Sequence, residues 1–176
     1  MDWVGHHVDI AHWGMDCDYT GPVEIEGTGK APESGLWNAF TEYDFNCKYA
    51  NGIVMNVAST NEGGAKWIGQ DGWVWVTRGN IDANPKSLLE EVIGPDEIHL
   101  YSSNDHLGNF LDCVKSRQLT ITPCEVAHRS ASVGHLGLIA IMTARKIKWD
   151  PENEVIIGDE QASRMLGRPL RSPWHF

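Results

Sequence analysis

The sequence predicts an α+β fold: an open, mostly antiparallel sheet with helices packed on one face. Three observations carry this expectation. Short stretches that alternate apolar and polar residues dominate residues 23–77. Segments with helical spacing dominate the second half, and strands and helices never alternate as a parallel sheet would require. The 176 residues are enough for one domain with a real core, and the 41% hydrophobic content fits a globular chain.

Taken in order, residues 2–15 read as a helix, followed by a turn cluster, Asp16-Cys-Asp18-Tyr-Thr-Gly21-Pro22. Val23-Glu-Ile25-Glu alternates as a short strand, and 27–34 reads as loop because of its glycines and proline. Tyr43, Phe45, Cys47 and Tyr49 alternate with Glu42, Asp44, Asn46 and Lys48, a half-buried strand. Asn51-Gly52 is a strong hairpin signal, and Ile53–Val57 is the returning strand. Gly69-Gln-Asp-Gly72 marks a second hairpin, between 65–68 and 73–77. A capping-box pattern, Ser87-Leu-Leu-Glu90, opens a short helix to about Ile93. Helical spacing of Leu107, Phe110, Leu111 and Val114 gives another over 104–116. Thr122-Pro123-Cys-Glu125 then starts a long helix to about Arg145, with Thr122 as N-cap. Its core stripe is Val126, Val133, Leu136, Ala140 and Ala144, and its small residues Ala131, Gly134, Gly137 and Ala140 permit close packing on the sheet. A hairpin about Asp150-Pro151 and a last helix from Asp159 to Leu166 complete the chain.

Charge narrows the function classes. With 14 Lys and Arg against 24 Asp and Glu the net charge is -10, which argues against a nucleic-acid surface. No apolar run of about 18 residues is present, so no membrane span is expected, and the N-terminus lacks a signal-peptide pattern. The four cysteines are widely spaced with no zinc-ligand pattern, so buried free thiols are expected. A cytoplasmic setting is favoured; a periplasmic one would follow from a leader on a longer parent.

No G-x-G-x-x-G follows a strand, no phosphate-loop motif occurs, and no G-x-S-x-G elbow is found. The concentration of chemistry is N-terminal, where the first dozen residues hold three of the eight histidines. Asp2, His6, Asp9 and Trp13 share one helix face. Spacing leaves three readings open. As acid–base machinery, His6 moves a proton, Asp2 orients it, and His7, Asp9 and His12 shape the pocket. As a metal site, His6 and Asp9 or Asp2 are joined by His12, His106, His128 or His135, although H-H-x-x-D-x-x-H matches no standard motif. Otherwise the same side chains cap and bond neighbouring loops. His106 with Asn109, His128-Arg129 and the Arg164, Arg168 and Arg171 run are weaker candidates.

The ordered motifs resemble a known family. Asp2-x-x-x-His6-His7-x-Asp9-x-x-x-Trp13, then Thr20-Gly-Pro-Val-Glu-Ile-Glu-Gly27 and Gly69-Gln-Asp-Gly-Trp-Val-Trp-Val76, are similar to the glucose-fructose oxidoreductase / inositol dehydrogenase (Gfo/Idh/MocA) family. The likeness continues through His106-Leu-Gly-Asn109-Phe-Leu-Asp112, Cys124 to His135, Lys148-Trp-Asp-Pro-Glu152 and Gly158-Asp-Glu-Gln-Ala, and leans toward a bacterial, planctomycete-like branch. It implies that residues 1–176 are a C-terminal substrate-binding and oligomerisation domain, whose N-terminal Rossmann domain is not in this chain. It implies NAD or NADP in the full-length parent and none bound to this fragment. Asp2 and His6 match the family's catalytic pair, with His6 the general base. Asp9 matches a residue that binds substrate hydroxyls, and His7, His12 and Trp13 complete the expected substrate contacts. The family's catalytic lysine, in an E-K-P motif of the first domain, has no counterpart, so the fragment alone is expected to be inactive. Expected partners are a sugar or polyol, the Rossmann domain, and a second copy meeting at an exposed sheet face rich in Trp and Tyr. The alternatives are a standalone binding or oligomerisation module and a metal-dependent sugar hydrolase or isomerase.

Overall fold

The computed structural model describes the backbone of residues 2–174 and the side chains of residues 3–174. Helix α1 (Asp2–Met15) leads into strands β1 (Glu24–Lys30), β2 (Glu42–Lys48) and β3 (Val54–Ala58). Strands β4 (Ala65–Ile68), β5 (Trp73–Thr77) and β6 (Asn80–Asn84) follow, then a single 3-10 turn, Lys86–Leu89. Helices α2 (His106–Ser116) and α3 (Cys124–Thr143), strands β7 (Ile147–Asp150) and β8 (Val155–Ile156), and the short α4 (Glu160–Ser163) complete the order. Five strands form one antiparallel sheet in the order β3-β2-β1-β7-β8, and β4-β5-β6 form a separate meander. This is the expected α+β class.

Alternation on β2 buries Phe45 and Cys47, and the adjoining Tyr49, on the face where α1 and α3 pack. Ile25 from β1, Ile147 and Trp149 from β7, Val4 and Val8 from α1, and Val133, Leu136, Ile139 and Ala140 from α3 close the core. Gly137 is what lets α3 approach: a Cβ there would lie 2.6 Å from the Phe45 ring. Both hairpin signals hold, Asn51-Gly52 between β2 and β3 and Gly69–Gly72 between β4 and β5.

Several expectations are corrected. β1 runs on through Gly27 and Gly29, which pair with Phe45 and Tyr43. A Cβ at Gly27 would meet Phe45 Cβ at 2.3 Å, so these glycines mark close strand approach rather than loop. β6 is an extra strand, turned at Arg78-Gly79 with Gly79 at φ 78°. The helix expected over 87–93 shrinks to its 3-10 turn, which buries none of its residues. Pro123, not Thr122, occupies the N-cap of α3, and no side chain bonds there. Ala144 is the left-handed C-cap, outside the core, and α4 ends at Ser163.

The open face of the larger sheet is polar, not aromatic. Lys146 pairs with Glu24 and Glu26, and Asn56 donates to Asp44 and Asn46. α2 does carry an exposed apolar stripe, in which Leu107, Phe110, Leu111 and Val114 face outward. All four cysteines are free; Cys17, Cys47 and Cys113 are buried and Cys124 is exposed. Among the described residues no helix is long and apolar enough to cross a membrane.

Candidate active site

Helix α1 divides two clefts. On one side His6, Asp9 and Trp13 look into a space of about 530 Å³, walled by α3 through Val126 and Ser130 and roofed by the loops around Tyr101 and Thr120. The 3.6-residue period produces this face, because steps of three and four residues return to nearly the same direction. Asp9 is held in place from outside its own helix: Ser130 Oγ on α3 donates to Asp9 Oδ1 at 3.0 Å. Asn109 of α2 donates to the Tyr101 hydroxyl, and its Oδ1 accepts from the Ile121 N–H at 3.0 Å, which braces the roof loops.

The turn after α1 delivers a carboxylate that spacing did not single out. Asp16 takes φ 54°, and the Cys17 N–H donates to the His12 carbonyl, so the helix ends in a Schellman-type turn. The chain then doubles back and puts Asp18 and Tyr19 on the same cleft as His6 and Asp9. Burial, then the charges of Asp9 and Asp16, push the Asp18 carboxyl above its ordinary range. The signal was the acidic turn itself, which looks like ordinary turn chemistry until the tertiary fold is known.

Two expected substrate contacts lie elsewhere. His12 is 0% exposed, and its Nε2 is 2.7 Å from the Tyr49 hydroxyl. Burial lowers its pKa to about 4 and raises that of Tyr49, so a neutral imidazole meets a protonated phenol. It is a core residue, not a ligand contact. His7, one step of about 100° from His6, faces the second cleft, about 820 Å³ between α1 and β3 to β5, with Trp3, Tyr43 and Trp75. Burial first, then His6 and Arg78, lower its pKa. Asp2 begins α1, and its side chain lies outside the described residues.

The weaker candidates fall outside this cleft. His128 pairs with Glu154 at 2.6 Å, and Arg129 bridges Glu125 and Glu154. His106 and His135 are exposed, and Arg164 pairs with Glu160 one turn away. Among the described residues no group of three or more His, Cys, Asp or Glu is placed to hold a metal ion. The turns that open α2 and α3, residues 102–105 and 120–123, contain no glycine to let backbone N–H groups close on a phosphate.

The cleft thus places His6, Asp9 and Asp18 of one α+β domain between helices α1 and α3. The domain's family follows from comparison: the model of an oxidoreductase family's C-terminal alpha/beta domain matches residues 1–176, and the chain belongs to that Gfo/Idh/MocA oxidoreductase family. No curated protein matches the chain. Among solved structures, an aldose-aldose oxidoreductase from Caulobacter crescentus complexed with glycerol is similar with TM-score 0.59 at 15% identity, over 82% of this chain and 45% of that one. A UDP-N-acetylglucosamine 3-dehydrogenase from Acidithiobacillus ferrooxidans has TM-score 0.49 at 14% identity, covering 80% of this chain and 46% of that one. A myo-inositol dehydrogenase from Corynebacterium glutamicum has TM-score 0.43 at 12% identity, covering 84% and 48%. The chain thus spans under half the length of each of these structures.

Proposed function

We propose that this chain is the substrate-binding domain of an NAD(P)-dependent oxidoreductase that acts on a sugar or polyol hydroxyl, and that it needs a dinucleotide-binding companion domain to turn over. The observation that carries this reading is the convergence of His6, Asp9 and Trp13 with Asp18, Tyr19 and Ser130 on one cleft. His6 is exposed at that cleft and accepts the proton of the reacting hydroxyl as the carbonyl forms. Asp2, one turn earlier, is its orienting partner. Asp9, anchored by Ser130, accepts hydrogen bonds from neighbouring hydroxyls, and the half-exposed Trp13 ring offers a face on which a sugar stacks. NAD or NADP, held by the companion domain, supplies the two-electron chemistry.

The apolar stripe of α2 supports a companion. Leu107, Phe110, Leu111 and Val114 are exposed at helical spacing, and Leu100, Tyr101 and Leu119 continue that surface to the cleft mouth. Patches of this kind mark interaction sites on soluble proteins. A second copy meeting at the open sheet face would do so through the Lys146, Glu24 and Glu26 charges. The planctomycete-like affinity rests on the order of the motifs.

Joining the chain to a dinucleotide-binding domain tests the reading. Cofactor-dependent oxidation of a sugar or polyol is expected, falling about 100- to 10,000-fold in a His6→Ala variant. Unchanged turnover in that variant would reject His6 as the base.

A further inference from the structure

Two cations of this acid-rich chain rest on indole rings rather than on carboxylates. Lys66 Nζ lies 4.0 Å from the centroid of the Trp73 ring, and the Arg78 guanidinium carbon lies 5.4 Å from that of Trp3. Neither forms an ion pair among the described residues, in a chain with 24 Asp and Glu against 14 Lys and Arg. An indole face orients a cation without neutralising it, so both charges remain available to an anion.

Both stand at the second cleft, the space of about 820 Å³ between α1 and β3 to β5. Lys66 lines it, and so does Trp3, on whose ring Arg78 lies. The size suits a small molecule, for which pockets run from roughly 300 to 1,000 Å³. The walls offer flat apolar surface: Trp3 is 58% exposed, and the half-buried Tyr43 and Trp75 rings stand with Met55 and Val57. Glu62, exposed, is the one carboxylate on this lining among the described residues. The first cleft has the opposite sign, with Asp9 and Asp18 on its lining and no lysine or arginine among the described residues. Strand register sets Lys66 across from Trp75, and Arg78 follows three residues later. The two long side chains therefore start roughly 10 Å apart, within reach of one ligand.

We propose that the second cleft binds a small ring compound that carries a phosphate: the ring lies against the indoles of Trp3 and Trp75, and Lys66 and Arg78 take the phosphate. A guanidinium pairs with phosphate through two parallel hydrogen bonds, and an ammonium adds a point charge. Aromatic walls receive a nucleotide base or a sugar ring alike, because each presents a face to stack. Nucleotides and sugar phosphates share this chemistry. His7 lines the same cleft, where burial, then His6 and Arg78, lower its pKa. A bound phosphate acts in the opposite direction, so His7 reports occupancy. Helix α1 lies between this cleft and the one that holds His6, so the site stands whatever the first cleft binds.

The test uses the chain itself, with AMP, adenosine, glucose 6-phosphate, glucose and inorganic phosphate as probes. Binding is followed at the Trp3 indole resonance, assigned with a Trp3→Phe variant, and at the Trp13 resonance for the first cleft. AMP or glucose 6-phosphate is expected to shift Trp3 and to raise the His7 pKa, with its unphosphorylated counterpart at least about tenfold weaker. Whichever of the two binds more tightly tells a nucleotide from a sugar phosphate. Lys66→Gln and Arg78→Gln should each weaken that probe about tenfold and leave the unphosphorylated one unchanged. Inorganic phosphate binding as tightly as the ring compounds would remove the role of the aromatic walls and overturn the proposal. Adenosine or glucose matching its phosphorylated form would overturn it from the other side. A response at Trp13 with Trp3 unmoved would put the ligand in the first cleft and reject this site, as would no response to any probe.

Discussion

The Ser130 hydroxyl on α3 donates to Asp9 Oδ1 on α1 across 3.0 Å and 121 residues of sequence. This one bond fixes a cleft-lining carboxylate against the longest helix among the described residues, so the cleft inherits the rigidity of the α1–α3 packing. Replacing Ser130 with Ala should cost about 1 kcal/mol of stability. In the enzyme reassembled with its companion domain, KM should rise several-fold while kcat changes less, because Asp9 loses its orientation and His6 does not. A kcat loss larger than the KM change would place Asp9 in the chemical step instead.

The buried His12–Tyr49 pair gives a pH dependence with a definite sign. His12 titrates near 4 when folded, against 6.5 for an unperturbed imidazole. Between those values the unfolded chain binds the extra proton, so stability falls as pH drops. The contribution from this group is complete above pH 6.5, is lost progressively toward pH 4, and amounts to roughly 3 kcal/mol. Urea melts from pH 7 to 4 would show it, and a His12→Gln variant should flatten that slope. Tyr49→Phe, which strands His12 Nε2 in the core, should cost about 1–3 kcal/mol at neutral pH.

Gly137 sets the distance between α3 and the sheet. A methyl group there would sit 2.6 Å from the Phe45 ring, inside any tolerable contact, and Phe45 is itself 3% exposed with nowhere to turn. Gly137→Ala should therefore destabilise by about 1–3 kcal/mol despite the better helix propensity of alanine. A simultaneous Phe45→Leu change should recover part of that loss, and chemical denaturation of the three variants measures the coupling.

His6 and His7 are neighbours in sequence that line different clefts. In the reassembled enzyme, His6→Ala should lose about 100- to 10,000-fold in kcat, whereas His7→Ala, facing the other cleft, should stay within about tenfold of the parent. Equal losses from the two variants would show that α1 does not partition the chemistry as described.

Local signals proved sound wherever the chain decides its own conformation. Asn51-Gly52 and Gly69–Gly72 demand tight turns through dihedral preference, and residues 2–15 carry a helical repeat, so these elements were legible without a partner. The glycines at 27 and 29 misled because glycine is both a loop former and the residue that lets strands approach, and only the presence of Phe45 across the pair separates the two. The helix expected at 87–93 failed for the complementary reason: its cap pattern is local, but the fold fully buries none of the residues in the turn that does form.

The amino-acid sequence by itself determined the α+β class, the face of α1 that carries His6, Asp9 and Trp13, and the family of the domain. It did so because periodicity and turn chemistry act over a few residues. Tertiary structure decided which histidine is core, which faces the site, and that Asp18 joins Asp9. Those outcomes depend on what packs against each side of α1, with Tyr49 enclosing His12, Ser130 holding Asp9, and a left-handed Asp16 turning the chain back. A helix presents side chains in every direction, and its own sequence does not say which neighbour will cover each one.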